Sequence, residues 1–304
     1  MPAGMQLVTV GSVAFDTLST PYGRRARIIG GAATHASVAA SYFAPSLGLV
    51  GVVGGDFPDS MRGVLRSRGV DLGGLATAKG KTFHWKGRYT GSMAVAETLS
   101  TELGVFAGFD PVVPQAWRRA PFLFLANIEP GIQGRVLAQM ERPRFTLLDT
   151  MNLWIATRRA ALLKVIAKVD AVVLNDLEIR QLTGEHALIK AARACLRLGP
   201  KAVFLKRGEH GSSLIGAREY FHLPAYPTEK VVDPTGAGDA FAGGLMGWLA
   251  RRGRAGAKDL REAMAAGVVL SSFQVEGFSL ERSVKLKSGE IAGRLKALRS
   301  MTHF

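Results

Sequence analysis

Short apolar runs alternate with helix-period segments over almost the whole length of this chain, and that rhythm constrains its fold more than any other feature. Leu7 to Val10, Leu47 to Val53, Phe122 to Ala126, Phe145 to Asp149, Ala171 to Leu174 and Ala202 to Leu205 are each too short for a helix. Rich in branched and aromatic residues, they read as buried strands. Between them, Ala32 to Phe43, Asp59 to Arg68, Gln133 to Met140 and Arg158 to Lys168 carry helical spacing, with Gly69 placed to end the second. Long helices are predicted after Asp239 and Asp259. The alternation predicts an α/β fold with a mainly parallel central sheet and helices on both faces. Ligands of such sheets bind beyond the carboxyl ends of the strands. Asp149, Asn175 and Lys206 each fall at the end of a predicted strand, which sets them on one rim.

Two stretches break the rhythm. Residues 18–28 and 77–106 are polar and β-prone without helical period, and predict a small accessory sheet, a lid, on a single domain covering residues 1–304. No Pro- or Ser-rich linker and no internal repeat divides the chain. Hydrophobic residues make up 47%, enough to bury a sizeable core. The longest apolar stretches fall far short of a membrane span. The N-terminus lacks the pattern of a signal peptide. The one cysteine, Cys195, allows no internal disulfide and no cysteine-based metal site. These features predict a cytoplasmic protein without a membrane partner. Lys and Arg number 39 against 24 Asp and Glu, a net charge of +15. Such a field attracts nucleotides, phosphorylated sugars or nucleic acid; the plainer reading is a basic, solvated surface.

The strongest local signal is Val232-Asp-Pro-Thr-Gly-Ala-Gly-Asp239-Ala-Phe-Ala-Gly-Gly244. Gly236-Ala237-Gly238 frees the backbone to turn sharply and present N–H groups, and a helix is predicted from about Asp239. Backbone donors at a helix N-terminus form an anion site. Phosphoryl transfer needs stabilisation of spread negative charge, and a carboxylate at the same place can take the proton of an attacking hydroxyl. On its own, Asp239 also reads as a favourable first-turn acid. The string is not a Walker A loop, for which the nearest run, Gly74 to Thr82, has one residue too many. It is not a dinucleotide fingerprint either, because Phe241 holds the third glycine position.

This string resembles the C-terminal signature of the ribokinase-like (PfkB) carbohydrate kinases. Other pieces fall in that family's order over nearly the whole chain: Gly11-Ser-Val-Ala-Phe-Asp16, Gly30-Gly-Ala-Ala-Thr-His35, Val53-Gly-Gly-Asp56, Asn175-Asp-Leu-Glu178 and Lys206-Arg-Gly-Glu-His-Gly211. The resemblance implies a ribokinase-like fold and an ATP- and magnesium-dependent kinase. It implies Asp239 as catalytic base and Gly236, Ala237 and Gly238 as the anion hole. Asp16, Gly30, Gly31 and His35 would hold substrate. Asn175, Lys206, Gly208 and Gly211 would approach the nucleotide, and Glu178 would organise magnesium through water. Asp233 and Thr235 lie where many members bind a monovalent cation such as potassium. Asn152, in the run Asp149-Thr-Met-Asn-Leu-Trp154, is a further substrate candidate, since kinases of keto-deoxy acids carry similar runs.

Each residue also has a duller reading. Asn175 and Glu178 form a good capping pair. Asp16 suits a turn, Gly30-Gly31 suits helix packing, and Trp154 suits packing beneath a capped turn. His35 departs from the family, where many members have Asn. An amide offers donor and acceptor together, whereas neutral imidazole splits them between two ring nitrogens. The lid aromatics Phe83, His84, Trp85 and Tyr89 can stack on a ligand, form the lid's own core or make a homodimer contact. The expected activity is transfer of the γ-phosphoryl group of ATP to a hydroxyl of a sugar or sugar-like compound. A nucleoside kinase of the same fold is the alternative. A non-catalytic nucleic-acid-binding protein is a distant third, because no aromatic RNA-binding motif, zinc motif or compact basic stripe is present.

Overall fold

The structure is a computed structural model that describes residues 4–91, 93 and 95–302. Ser92 and Ala94, inside the 77–106 segment, lie outside the described residues, as do both chain ends. The large sheet has nine strands. In chain order they are β1 (Leu7–Val10), β4 (Leu47–Gly54), β5 (Val70–Ala78), β8 (Phe122–Leu125), β9 (Phe145–Asp149), β10 (Ala171–Asn175), β11 (Ala202–Lys206), β12 (Ser212–Gly216) and β13 (Tyr220–Leu223). Their spatial order is β13-β12-β11-β10-β9-β8-β1-β4-β5. The seven strands from β11 to β5 run parallel, and β12 and β13 add antiparallel at one edge.

Side chains alternate across a strand, and here both faces are covered. Leu7, Phe122, Phe124, Leu147, Val173 and Phe204 face the helices α1 (Ala32–Ala40), α8 (Ala237–Arg252) and α9 (Ala257–Gln274). Val8, Leu123, Leu148, Val172 and Val203 face the opposite layer, built from α3 (Pro130–Gln139), α4 (Asn152–Thr157), α5 (Arg159–Ile166), α6 (Asp176–Thr183) and α7 (Leu188–Leu196). Arg158, expected inside one helix, is instead the break between α4 and α5, with φ −132°. The remaining helices are α2 (Asp59–Ser67) and a C-terminal α10 (Ser288–Met301). No helix among the described residues is long and apolar enough to cross a membrane.

Helices α1 and α8 pack almost backbone to backbone. A Cβ on Gly243 would lie 2.1 Å from Ala36 O, and one on Gly247 would lie 2.5 Å from Ala40 O. Only glycine permits this approach. It presses the start of α1 against the turn that begins α8.

A second sheet has the order β3-β2-β6-β7, from β2 (Ala14–Thr20), β3 (Gly23–Gly30), β6 (His84–Arg88) and β7 (Glu97–Glu102). Its limits differ from the segments 18–28 and 77–106. The chain leaves the large sheet at Val10, so Phe15 and Asp16 belong to the second sheet and not to the first strand. Thr77 and Ala78 belong to β5. One face of this sheet packs on the segments before α8 and after α9: Leu18 clusters with Val232 and Phe278, with Ile28 and Trp85 against them. The Tyr89 hydroxyl accepts a hydrogen bond from Thr235 Oγ1 at 3.2 Å.

Candidate active site

Asp149, Asn175 and Lys206 are the last residues of β9, β10 and β11. They share the parity of Leu147, Val173 and Phe204, so all three point to the α8 side of the sheet. Lys206 Nζ donates back across β10 to Asp149, 3.3 Å from Oδ1 and 3.4 Å from Oδ2. Gln133 ties this rim together by donating from Nε2 to Asp149 O at 2.8 Å and Ala126 O at 3.0 Å.

The turn into α8 stands over this pair. Asp233 is fully buried and accepts from Thr235 N at 2.9 Å and Ser279 N at 3.0 Å, which fixes the start of the turn. Gly236 has φ 77°, a left-handed conformation that costs other residues about 1–2 kcal/mol. Ala237 N donates to Pro234 O and Ala240 N to Gly236 O. The N–H groups of Gly238 and Asp239 between them have no backbone acceptor among the described residues. Two free donors at the head of a 16-residue helix make an anion site. A Cβ on Gly238 would sit 2.9 Å from Lys206 Nζ, so the ammonium adjoins the same place.

Three carboxylates converge here around one ammonium. Burial pushes Asp239 up to about 7, with Asp149 and Glu178 adding repulsion and Lys206 opposing it. Burial pushes Glu178 up to about 7, with Lys206 opposing and Asp149 adding to the shift. Burial also raises Asp149, against the pull of Lys206. For Lys206 burial works the other way, yet Asp149, Glu178 and Asp239 hold its pKa above the ordinary lysine value. The site is therefore short of positive charge. A magnesium ion that keeps its own water and phosphate ligands fits that deficit. Among the described residues no group of three or more His, Cys, Asp or Glu side chains could cage a metal unaided.

On the other side of Asp239 lies a group of buried polar side chains under the second sheet. Asp16 on β2 is 4% exposed, and burial followed by Asp233 and Asp239 raises it to about 8. Its carboxylate fills the side-chain space of Gly30, whose Cβ would lie 2.1 Å from Oδ2. Gly31, with φ 98°, lies just before α1 over Ser12, whose hydroxyl accepts from Ala32 N. His35 is 2% exposed and lies against Gly236, where a Cβ would come within 2.4 Å of the ring. Burial lowers its pKa to about 4, so the imidazole is neutral at physiological pH.

The remaining residues divide. Asn175 and Glu178 form a complete capping box, with Asn175 Oδ1 accepting from Leu177 N and Glu178 N, and Glu178 Oε2 accepting from Asn175 N. Capping uses one oxygen of Glu178 and leaves Oε1 for the site. Gly208, with φ 55°, is exposed and has open space above it. Gly211 has a packing reason to be glycine, because a Cβ there would lie 2.1 Å from Leu223 O. Asn152 is exposed at the start of α4, and its carbonyl accepts from Gln181, so none of its hydrogen bonds reaches the Asp239 group. Trp154 Nε1 donates to Asn127. Of the aromatics, Phe83 stacks on Phe106, His84 bonds Thr17, Trp85 donates to Thr98, and Tyr89 meets Thr235. Sequence reasoning did not single out Gln133, Gln274 or Ser279. Their one legible signal is polarity inside otherwise apolar or glycine-rich surroundings.

The family model described as pfkB family carbohydrate kinase matches residues 6–285. A cytidine kinase of Thermococcus kodakarensis is 33% identical over 252 residues, covering 81% of this chain and 89% of that protein. The aminoimidazole riboside kinase of Salmonella enterica, solved with aminoimidazole riboside and an ATP analogue, superposes with a TM-score of 0.78 at 21% identity, covering 95% of this chain and 99% of that one. An E. coli chain described as a ribokinase II, in complex with ATP and magnesium, gives 0.78 at 20% identity, covering 96% and 99%.

Proposed function

The chain belongs to the pfkB family of carbohydrate kinases, and from that premise we propose that it transfers the γ-phosphoryl group of ATP to a hydroxyl of a sugar or sugar-like compound, with Asp239 as base. The observation that carries this reading is the position of Asp239. It stands between Asp16 and His35, which on this reading line the acceptor recess, on one side and the free N–H groups and Lys206 on the other. An acceptor hydroxyl in the recess loses its proton to Asp239 as its oxygen attacks phosphorus. The Gly238 and Asp239 N–H groups and Lys206 meet the negative charge spread over the phosphoryl oxygens. Magnesium supplies charge neutralisation on the phosphates, and Glu178 Oε1, with Asp149 near it, would hold it through water. Asn175, Lys206 and Gly208 lie on the nucleotide side of that point, and Asp16, Gly30, Gly31 and His35 on the acceptor side. The second sheet covers the recess and serves as a lid that keeps out water, the competing phosphoryl acceptor.

A nucleoside acceptor is the second reading, favoured by the 33% identity to a cytidine kinase. A panel of sugars and nucleosides with ATP, assayed for ADP release and for phosphorylated product, decides between them. At least one acceptor is expected to turn over, and only with magnesium present. Turnover of nucleosides alone would establish the second reading, and none with any acceptor would remove both. A second copy of the chain on the second sheet, where Tyr22, Val95 and Leu99 are exposed, is part of the proposal. A monomeric mass in solution removes that part. Neither reading requires a nucleic-acid partner, since the nucleotide itself answers to the charge of +15.

A further inference from the structure

The family resemblance implies a monovalent cation beside Asp233 and Thr235, and the residues in place do not fit one. Such an ion needs converging oxygens with nothing between them. Two backbone carbonyls do converge, Thr235 O from the catalytic turn and Ser279 O from the segment after α9. Between them stands the side-chain amide of Gln274, the last residue of α9, with Nε2 3.1 Å from Thr235 O and 2.6 Å from Ser279 O. An amide nitrogen has two hydrogens, and both are used. The reverse orientation would set Oε1 against two carbonyl oxygens, so the network fixes which end points where. Gln274 is 1% exposed, so water does not compete for these bonds.

The carboxylate beside this point is engaged as well. Asp233 Oδ1 and Oδ2 each take a backbone N–H, from Thr235 and Ser279. Thr235 and Ser279 are thus each held twice, by N–H to Asp233 and by C=O to Gln274. These four bonds lock the two chain segments together where a shared ion would otherwise do so. At its other end Gln274 adjoins His35, whose protonated form it favours against burial. Neither His35 nitrogen nor Gln274 Oε1 has a partner of good geometry among the described residues, so this end of the amide is a contact and not a bond.

We propose that the Gln274 side-chain amide takes the structural place of a monovalent cation, bracing the Asp233–Gly238 turn so that the protein works without potassium. Gln274 is a positioning residue: it acts on the anion site through Thr235 O and touches no reacting atom. The turnover part of the inference rests on the kinase reading above, and the binding part does not.

The test compares potassium chloride with choline chloride at matched ionic strength, by thermal unfolding and, with an accepted substrate, by turnover. The wild-type protein is expected to give the same unfolding temperature and the same kcat in both salts. Gln274→Ser shortens the side chain and frees both carbonyls. It should lose about tenfold in turnover in choline. In potassium it should recover most of that and unfold at a higher temperature, since a ligand that binds only the folded state stabilises it. Gln274→Met removes the donors but fills the space, and should stay impaired in both salts. A potassium-specific rise in the wild-type unfolding temperature overturns the proposal. So does a Gln274→Ser protein that ignores potassium or is unfolded in both salts, because the ion should stand in for the missing amide. Were the kinase reading itself wrong, turnover would be nil throughout while the unfolding temperatures would still report on the cation site.

Discussion

Asp239→Asn is expected to lower kcat by about 10²–10⁴-fold, the usual worth of a positioned general base, with only a modest change in ATP affinity. The asymmetry follows from the geometry. Asn keeps the size of the side chain and the backbone N–H groups of Gly238 and Asp239, the proposed phosphate donors, so nucleotide binding should lose little. It cannot accept the acceptor's proton. The carboxylate of Asp239 is held at about 7 chiefly by burial, which makes it a stronger proton acceptor than an ordinary aspartate and still leaves it substantially ionised near neutrality. Steady-state kinetics with the best acceptor, together with nucleotide titration of the variant, separates the two effects. A variant that turns over within a few-fold of wild type would show that Asp239 only starts the helix.

Lys206→Met is expected to be the most destabilising change at the rim, by about 3–5 kcal/mol, the range for breaking one half of a buried ion pair. The pair is well shielded, with side-chain exposures of 19% for Lys206 and 5% for Asp149. The loss should depend on pH, with a definite sign. Burial already raises Asp149 above its ordinary value against the pull of the ammonium, and removing Lys206 raises it further. A carboxyl whose folded pKa exceeds its unfolded one favours folding at low pH and loses that contribution as pH rises through the folded value. The variant is therefore weakest in alkaline buffer and approaches wild type as pH falls. Asp149→Asn in the same chain should recover much of the loss. Denaturant unfolding at several pH values measures this. A pH-independent deficit below about 1 kcal/mol would mean that the pair behaves as a solvated surface bridge.

The parts of the fold that the sequence discloses are those whose physics is local. Strands buried on both faces are apolar at nearly every position, so β1, β4, β8, β9, β10 and β11 stand out, and the polar last residues of β9, β10 and β11 locate the rim. Edge and accessory strands lack that signature. β5 carries exposed residues and two adjacent glycines, and β13 is short with one buried residue, so neither shows as a strand. Asp16 illustrates a subtler limit. Val13 to Phe15 resume the apolar pattern of β1 after Gly11 and Ser12, and nothing local tells that the chain has crossed to another sheet. Capping is legible, because a capping box is a three-residue spacing, and Asn175 with Glu178 realises it. The bracing amide is not legible. Gln274 has no periodicity and no motif, and its meaning lies in two carbonyls at positions 235 and 279 that only the folded chain brings to it.

The glycine contacts between α1 and α8 bear on how this protein can acquire or lose acceptors. Gly236 leaves room for the His35 ring, and Gly243 and Gly247 leave no room for even a methyl group against the backbone of α1. The packed base beneath the proposed acceptor site is thus a block that side-chain growth would force apart. Side-chain variation compatible with folding has more room in the second sheet above it, where Trp85 on β6 is only partly buried. On the proposed function, drift in acceptor preference has room there, while the α1–α8 block beneath it stays unchanged.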